Sequence, residues 1–218
     1  MRGFHPALAV FAPLPLAERL FVRARLFSAP LEAMADRAVG TRLLDVGCGH
    51  GVLTALLAVG FPERQVVGID PDARKIDWAR RSVGTFQNVQ LEATGVDALA
   101  ARAPGQFDTV FVADVLYLLP PPRWPAFLSA CRALLVESGR LVLKEAEDDG
   151  SWRAKKTLWQ ERVMVKVLGR TQQSGAVGFE PRQTLSRALE EAGFSIRESA
   201  SMTRGYTTPH VIFVAECA

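Results

Sequence analysis

Apolar and polar positions change rhythm along this chain, and the changes divide it into three regions. Up to about Val39 the apolar residues Leu16, Leu20, Phe21, Leu26, Phe27, Leu31 and Met34 recur near helical spacing, which predicts a helical N-terminal extension over residues 1–39. From Gly40 to Glu147 short apolar runs alternate with helix-period segments. Strands are expected at 43–46, 66–70, 89–93, 109–112 and 140–145, and helices at 52–59, 73–83 and 123–136. Beyond Asp148 come a helix-like apolar segment at 152–168 and a polar, glycine-bearing loop at 169–178. A helix at 181–192 and strands at 195–199 and 211–215 follow, the strands joined by the turn Gly205-Tyr206-Thr207-Thr208-Pro209. Strands separated by helical crossovers make a parallel sheet covered on both faces. The expected class is therefore α/β: one doubly wound, mostly parallel seven-stranded sheet in residues 40–218, with an insertion at about 148–180 before the final hairpin.

The first strand runs Leu43-Leu44-Asp45-Val46 into the turn Gly47-Cys48-Gly49-His50-Gly51, which opens the first crossover helix. Glycine suits such a turn because the backbone bends at positive φ and a ligand must approach it closely. The second strand, Val66-Val67-Gly68-Ile69, ends in Asp70 and Pro71. An acid one strand–turn–helix–strand unit after the glycine turn can accept hydrogen bonds from both hydroxyls of a ribose. A nucleoside cofactor across the carboxyl ends of two adjacent strands follows. NAD is the first alternative, but its fingerprint G-x-G-x-x-G needs a third glycine where Val52 stands. Asp45 also suits a cationic or zwitterionic ligand better than a pyrophosphate.

On these residues the chain resembles the class I S-adenosylmethionine-dependent methyltransferases. Their first motif, D-x-G-x-G-x-G, is matched at Asp45, Gly47, Gly49 and Gly51, and the acid closing the next strand at Asp70. Their acid in a short loop beyond strand three is matched by Asp97 in Val96-Asp97-Ala98-Leu99, and their strand-four aspartate by Asp114. Ser138-Gly139 followed by Arg140–Glu145 is similar to the family's glycine turn into strand five. The resemblance implies an antiparallel last strand and S-adenosyl-L-methionine as donor, with S-adenosyl-L-homocysteine as product. It places the methionyl portion at Gly47, Cys48, Gly49 and Gly51, the amino group near Asp45 or Asp114, the ribose at Asp70 and Pro71, and adenine at Val96, Asp97 and Ala98. The plainer alternative is a glycine turn that serves strand-to-helix packing alone.

On the acceptor side the catalytic candidates are Asp114, Glu145 and His210, and the substrate-contact candidates are Tyr117, Trp152, Arg204 and Tyr206. Each has a structural alternative: Asp114 as a helix cap, Glu145 with Lys144 as a solvated strand-end pair, His210 as part of the hairpin, and His50 as an exposed side chain. Relatives often carry a histidine where Leu118 and Leu119 stand, so one general base is missing and the acceptor side is more apolar. There is no Asn-Pro-Pro-Tyr run and no Pro-Cys dipeptide, the marks of relatives acting on amide or adenine nitrogens and on cytosine carbon. With Asn88 the only asparagine, the Asp-Asp-Asn metal site of catechol-type relatives is not evident, and no metal is expected. The expected activity is metal-independent, in-line methyl transfer to a small hydrophobic or lipid-like metabolite. A silent cofactor-binding module is its rival.

Composition narrows the partners. The chain has 218 residues, 49% of them hydrophobic, enough for one well-buried core. Its net charge of +3 is too small for an extended nucleic-acid face, and the basic clusters at 19–25 and 153–156 read as solvated helix faces. Three scattered cysteines form neither a disulfide framework nor a metal cluster. No apolar run reaches the roughly 18 residues that span a bilayer, and Pro13 and Pro15 break the segment that is faintly similar to a signal peptide, so a cytoplasmic protein is expected. The apolar insertion around Trp152 and Trp159, with basic neighbours, also fits a membrane-surface contact or a homodimer interface.

Overall fold

The computed structural model describes residues 6–59, 61–148, 180–203, 205–206 and 208–218. Seven strands form one sheet: β1 (Arg42–Val46), β2 (Gln65–Ile69), β3 (Val89–Glu92), β4 (Phe107–Ala113), β5 (Leu135–Ala146), β6 (Phe194–Met202) and β7 (His210–Cys217). Their order is β3-β2-β1-β4-β5-β7-β6, and only β7 runs against its neighbours, as expected. The helices are α1 (Leu16–Ser28), α2 (Leu31–Ala35), α3 (Val52–Ala58), α4 (Ala73–Ser82), α5 (Val96–Arg102), α6 (Trp124–Leu134) and α7 (Arg182–Glu191).

Period-two alternation sends neighbouring strand residues into different cores. Leu43, Phe111, Val142 and Ile212 pack on one face with Val22 and Leu26 of α1, Leu31 and Met34 of α2, and Leu53 and Leu57 of α3. Leu44, Val110, Leu143 and Phe213 pack on the other with Leu99 of α5, Leu128 and Leu134 of α6, and Leu185 and Leu189 of α7. The chain leaves β1 toward β2 and β3, then returns to place β4 on the other side of β1. That reversal opens a crevice at the carboxyl ends of β1 and β4, where open α/β sheets bind ligands.

Three expectations need correction. The stretch 96–99 is not a loop but the first turn of α5, because Val96 and Leu99 bury one helical face behind Gly95. Ser138-Gly139 is not a turn before strand five. β5 begins at Leu135, and Phe107 pairs with Leu135 while Thr109 pairs with Arg140, so residues 136–139 bulge out of the ladder. A Cβ on Gly139 would lie 3.0 Å from the Val136 carbonyl oxygen and 3.1 Å from that of Phe107, which is why glycine serves the bulge. Of the apolar N-terminal residues, Leu16 and Leu20 face outward (67% and 58% exposed).

The expected helix at 152–168 and loop at 169–178 lie outside the described residues, as do Trp152 and Arg204. The ends of that insertion meet: the Asp148 amide donates to the Glu180 carbonyl at 3.3 Å, and Arg182 donates to both carboxylate oxygens of Glu147 at 3.0 and 3.1 Å. Among the described residues no helix is long and apolar enough to cross a membrane.

Candidate active site

The glycine turn after β1 is tied to the end of β2. The amides of Gly47 and Cys48 both donate to the Ile69 carbonyl, at 2.8 and 2.9 Å. The Gly49 amide donates to Asp70 Oδ2 at 3.1 Å, and the Asp72 amide to Asp70 Oδ1 at 2.9 Å. Asp70 thus orders the turn, and two carboxylate oxygens with about four acceptor directions still have room for two hydroxyls.

All three glycines have positive φ (73°, 56° and 80° at Gly47, Gly49 and Gly51), yet they do different work. A Cβ on Gly47 would meet Val115 Cγ2 at 2.6 Å, and one on Gly51 would meet Val83 Cγ2 at 2.7 Å, so packing demands both. A Cβ on Gly49 would meet nothing within 4 Å. Gly49 is the one glycine of the three whose Cβ position faces open space.

Beneath the turn, Asp45 is buried and accepts a hydrogen bond from Thr54 Oγ1 at 2.7 Å. Burial pushes its carboxyl up to about 6 from an ordinary 3.8, against the opposing Thr54 hydrogen bond. Below pH 3.8 folded and unfolded chains both hold this proton. As pH rises through 6 the folded state must ionise a group it disfavours, and stability is lost. Asp45→Asn is therefore expected to stabilise the ligand-free protein at pH 7.5, by about 3 kcal/mol at most, and to match the wild type near pH 4. Urea midpoints at the two pH values check this; an equal difference at both would show that ionisation of Asp45 is not the cause.

At the ends of β4 and β5 a charged cluster forms. Asp114 sits just past β4 with φ of 56°, the only positive-φ non-glycine among the described residues. Lys144, fully buried on β5, donates to both its oxygens at 2.6 Å. Arg25 of α1 pairs with the same carboxylate and donates to the Ala113 carbonyl at 3.4 Å. Burial pushes the Asp114 carboxyl up, but the Arg25 and Lys144 charges outweigh it and hold it well below the usual range. Asp114 does not cap the turn that follows. Glu145 does: its Oε1 accepts from the Val115 and Leu116 amides at 3.0 and 2.8 Å. Burial, reinforced by the Asp114 charge, pushes the Glu145 carboxyl up to about 8.

Helix α1 is fastened over this rim at three places. Besides Arg25, Glu18 lies 2.7 Å from His50 Nε2, whose ring is 5.0 Å from that of Phe21. His50 is therefore not an exposed side chain; it joins the glycine turn to α1. At the far end of α1, His210 Nε2 lies 2.9 Å from the Ser28 carbonyl oxygen.

These features lie at the β1/β4 switch point, where open α/β sheets bind ligands. Residues 17–199 match the family described as a methyltransferase domain. The chain belongs to the class I S-adenosylmethionine-dependent methyltransferases. A ubiquinone biosynthesis O-methyltransferase of Xanthomonas euvesicatoria is 39% identical over 105 residues, 48% of this chain and 42% of that protein. One from Thiobacillus denitrificans is 29% identical over 166 residues, 75% of this chain and 68% of that protein. The matched stretch thus spans less than half the length of the first of these relatives. The crystal structure of Burkholderia thailandensis 1,6-didemethyltoxoflavin-N1-methyltransferase, with S-adenosylhomocysteine bound, superposes with a TM-score of 0.68 at 18% identity, covering 93% of this methyltransferase and 83% of that chain. The family's cofactor is S-adenosylmethionine.

Asp45, Gly47, Gly49, Gly51, Asp70 and Asp114 all lie at the carboxyl ends of β1, β2 and β4. Cys48 joins them through its backbone only: its buried Sγ would lie 3.1 Å from a Cβ on Gly68, and burial pushes the thiol well up. Pro71, Asp97 and Ala98 are exposed, while Val96 is buried. Tyr117 is half-buried, and the Tyr206 ring stands edge-on to His210 at 5.7 Å. Nothing in the sequence singles out Thr54, and the reading of Lys144 and Glu145 as a solvated strand-end pair is corrected, since both are buried and Lys144 is paired with Asp114. The sequence signal for Lys144 is a lysine that continues the apolar run Leu141-Val142-Leu143; the structure sets it in register with Ala113, beside Asp114. The solvated face expected at 19–25 holds for the exposed Arg19 and Arg23 but not for Arg25, which pairs with Asp114.

Proposed function

We propose that this chain is a metal-independent O-methyltransferase acting on a small, hydrophobic hydroxyl-bearing metabolite. The observation that carries the cofactor half of this reading is Gly49, left-handed and open where its two companion glycines are packed shut. When bound, S-adenosylmethionine supplies a methyl group on a sulfonium, a carbon activated for in-line displacement. The chain's own part is binding and alignment. Asp70 would take the ribose hydroxyls, and the Gly49 backbone would lie along the methionyl portion. Arg25, whose charge lowers the Asp45 carboxyl, would meet the carboxylate of that zwitterion while Asp45 would meet its ammonium. The adenine contact is assigned to the Val96–Ala98 turn. Support for an oxygen acceptor comes from the named O-methyltransferases and from the cations gathered at the β4 and β5 ends, which favour an oxyanion. The apolar run Leu118-Leu119 favours a hydrophobic acceptor.

The N-terminal helices are proposed as a lid on this crevice, and residues 148–180 as an acceptor-side cap. Calorimetric titration with S-adenosylhomocysteine, with NAD in parallel, tests the reading. Asp70→Ala removes two acceptor oxygens for charged hydrogen bonds and is expected to weaken S-adenosylhomocysteine about a hundredfold. NAD binding in place of S-adenosylhomocysteine would overturn the assignment.

A further inference from the structure

We infer that His210 Nδ1 receives the acceptor's hydroxyl proton, so that His210 is the catalytic base of the O-methylation proposed above. The inference rests on that reading and starts from the tautomer. His210 Nε2 lies 2.9 Å from the Ser28 carbonyl oxygen, and a carbonyl only accepts, so Nε2 carries the hydrogen. Nδ1 is then a lone pair. It is buried, and among the described residues it has no hydrogen-bond partner, although the whole residue is only 5% exposed. Native interiors rarely leave a polar atom bare, and a substrate hydroxyl is a partner of the right kind.

The surroundings fit that task. Burial and the neighbouring Lys144 charge push the imidazole down to about 4, with the Asp114 charge opposing, so the ring is neutral near pH 7. The groups facing it are Arg25 and Ser28 of α1, Asp114 after β4, Lys144 of β5, and Tyr206 in the turn before β7. Lys144 and Arg25 favour negative charge on an acceptor oxygen, and Asp114 favours the imidazolium. A weak base suffices because the hydroxyl becomes strongly acidic as its oxygen forms the new bond to carbon. The oxygen–carbon bond forms, the methyl carbon–sulfur bond breaks with its electron pair passing to sulfur, and the hydroxyl proton moves to Nδ1 and then to solvent. The Tyr206 ring stands edge-on to His210 at 5.7 Å, and the buried Nδ1 is reached by an acceptor only when a neighbouring group shifts. Glu145 Oε2 is also buried and bare among the described residues, but Glu145 alternates to the opposite face of β5 from Lys144, and its Oε1 is committed to the loop amides.

The test uses para-substituted phenols with pKa values from about 7 to about 10 as acceptors, at fixed pH, with the wild type and with His210→Gln and His210→Phe. Calorimetry with S-adenosylhomocysteine serves as the folding control. The expected result is a loss of about a hundredfold on the weakly acidic phenols and little loss on those already ionised. A uniform loss across the series, or none, would overturn the inference and leave the O-methylation reading standing. If the wild type binds S-adenosylhomocysteine but methylates no phenol, both fall together. Nitrogen-15 NMR at pH 7 supplies a second readout: Nδ1 is expected to be pyridine-like and Nε2 pyrrole-like, and the reverse tautomer or an imidazolium would also overturn it.

Discussion

Replacing Lys144 with methionine is expected to destabilise the protein by about 3 kcal/mol, the low end of the cost of breaking a buried ion pair. Lys144 is fully buried and donates to both oxygens of Asp114, so the methionine would fill most of its volume while leaving Asp114 with Arg25 alone. Charge, and not lost packing, then dominates. Asp114→Asn placed in the same background removes the stranded carboxylate and is expected to recover at least about 1 kcal/mol, giving a coupling readable in a double-mutant cycle. The pH dependence has a definite sign. Asp114 is held below its ordinary 3.8, so the stability it contributes is present above that value and is lost as pH falls beneath it. The gap between wild type and Lys144→Met should therefore narrow in acid. Urea midpoints at pH 7.5 and pH 3.5 measure this. A double variant no more stable than Lys144→Met would show that the ion pair is not what holds this rim together.

That cluster also marks the limit of what local sequence signals carry. The sheet, its order of strands and helices, and the acids at strand ends were legible because each rests on local signals: period-two runs, a glycine turn, a carboxylate after an apolar run. Asp45, Asp70 and Asp114 could be placed at the crevice because strand ends converge there whatever the side chains do. What they pair with is a matter of tertiary register. Arg25 meets Asp114 across 89 positions of chain, and nothing in the spacing of α1 separates it from the exposed Arg19 and Arg23. The same limit explains Glu145, whose carboxylate serves amides 30 and 29 positions away and so takes the capping role that sequence offered to Asp114. The loop expected at 96–99 failed for another reason. Motif resemblance placed Asp97 in a loop, whereas the buried pair Val96 and Leu99 is already the first turn of a helix.

Gly47, Gly49 and Gly51 look equivalent in the sequence, and alanine at each is expected to separate them. Every one of these variants forces a side chain into left-handed backbone, at about 1–2 kcal/mol. Gly49→Ala is expected to stop there, since its Cβ meets nothing within 4 Å. Gly47→Ala and Gly51→Ala add overlaps with Val115 at 2.6 Å and Val83 at 2.7 Å, for a total of about 2–4 kcal/mol. Binding should run the other way. The new methyl of Gly49→Ala occupies the space left for the methionyl portion, so S-adenosylhomocysteine affinity should fall by about ten- to a hundredfold, or about 1.4–2.7 kcal/mol. Trimming the clashing neighbour tells packing from binding. Val83→Ala should restore part of the stability of Gly51→Ala, and Val115→Ala part of that of Gly47→Ala, while neither should rescue binding by Gly49→Ala. Thermal unfolding and calorimetry on the three single variants and the four trimmed double variants make the comparison. Wild-type affinity in Gly49→Ala would mean that the cofactor does not lie against this turn, and the crevice between β1 and β4 would need a different ligand.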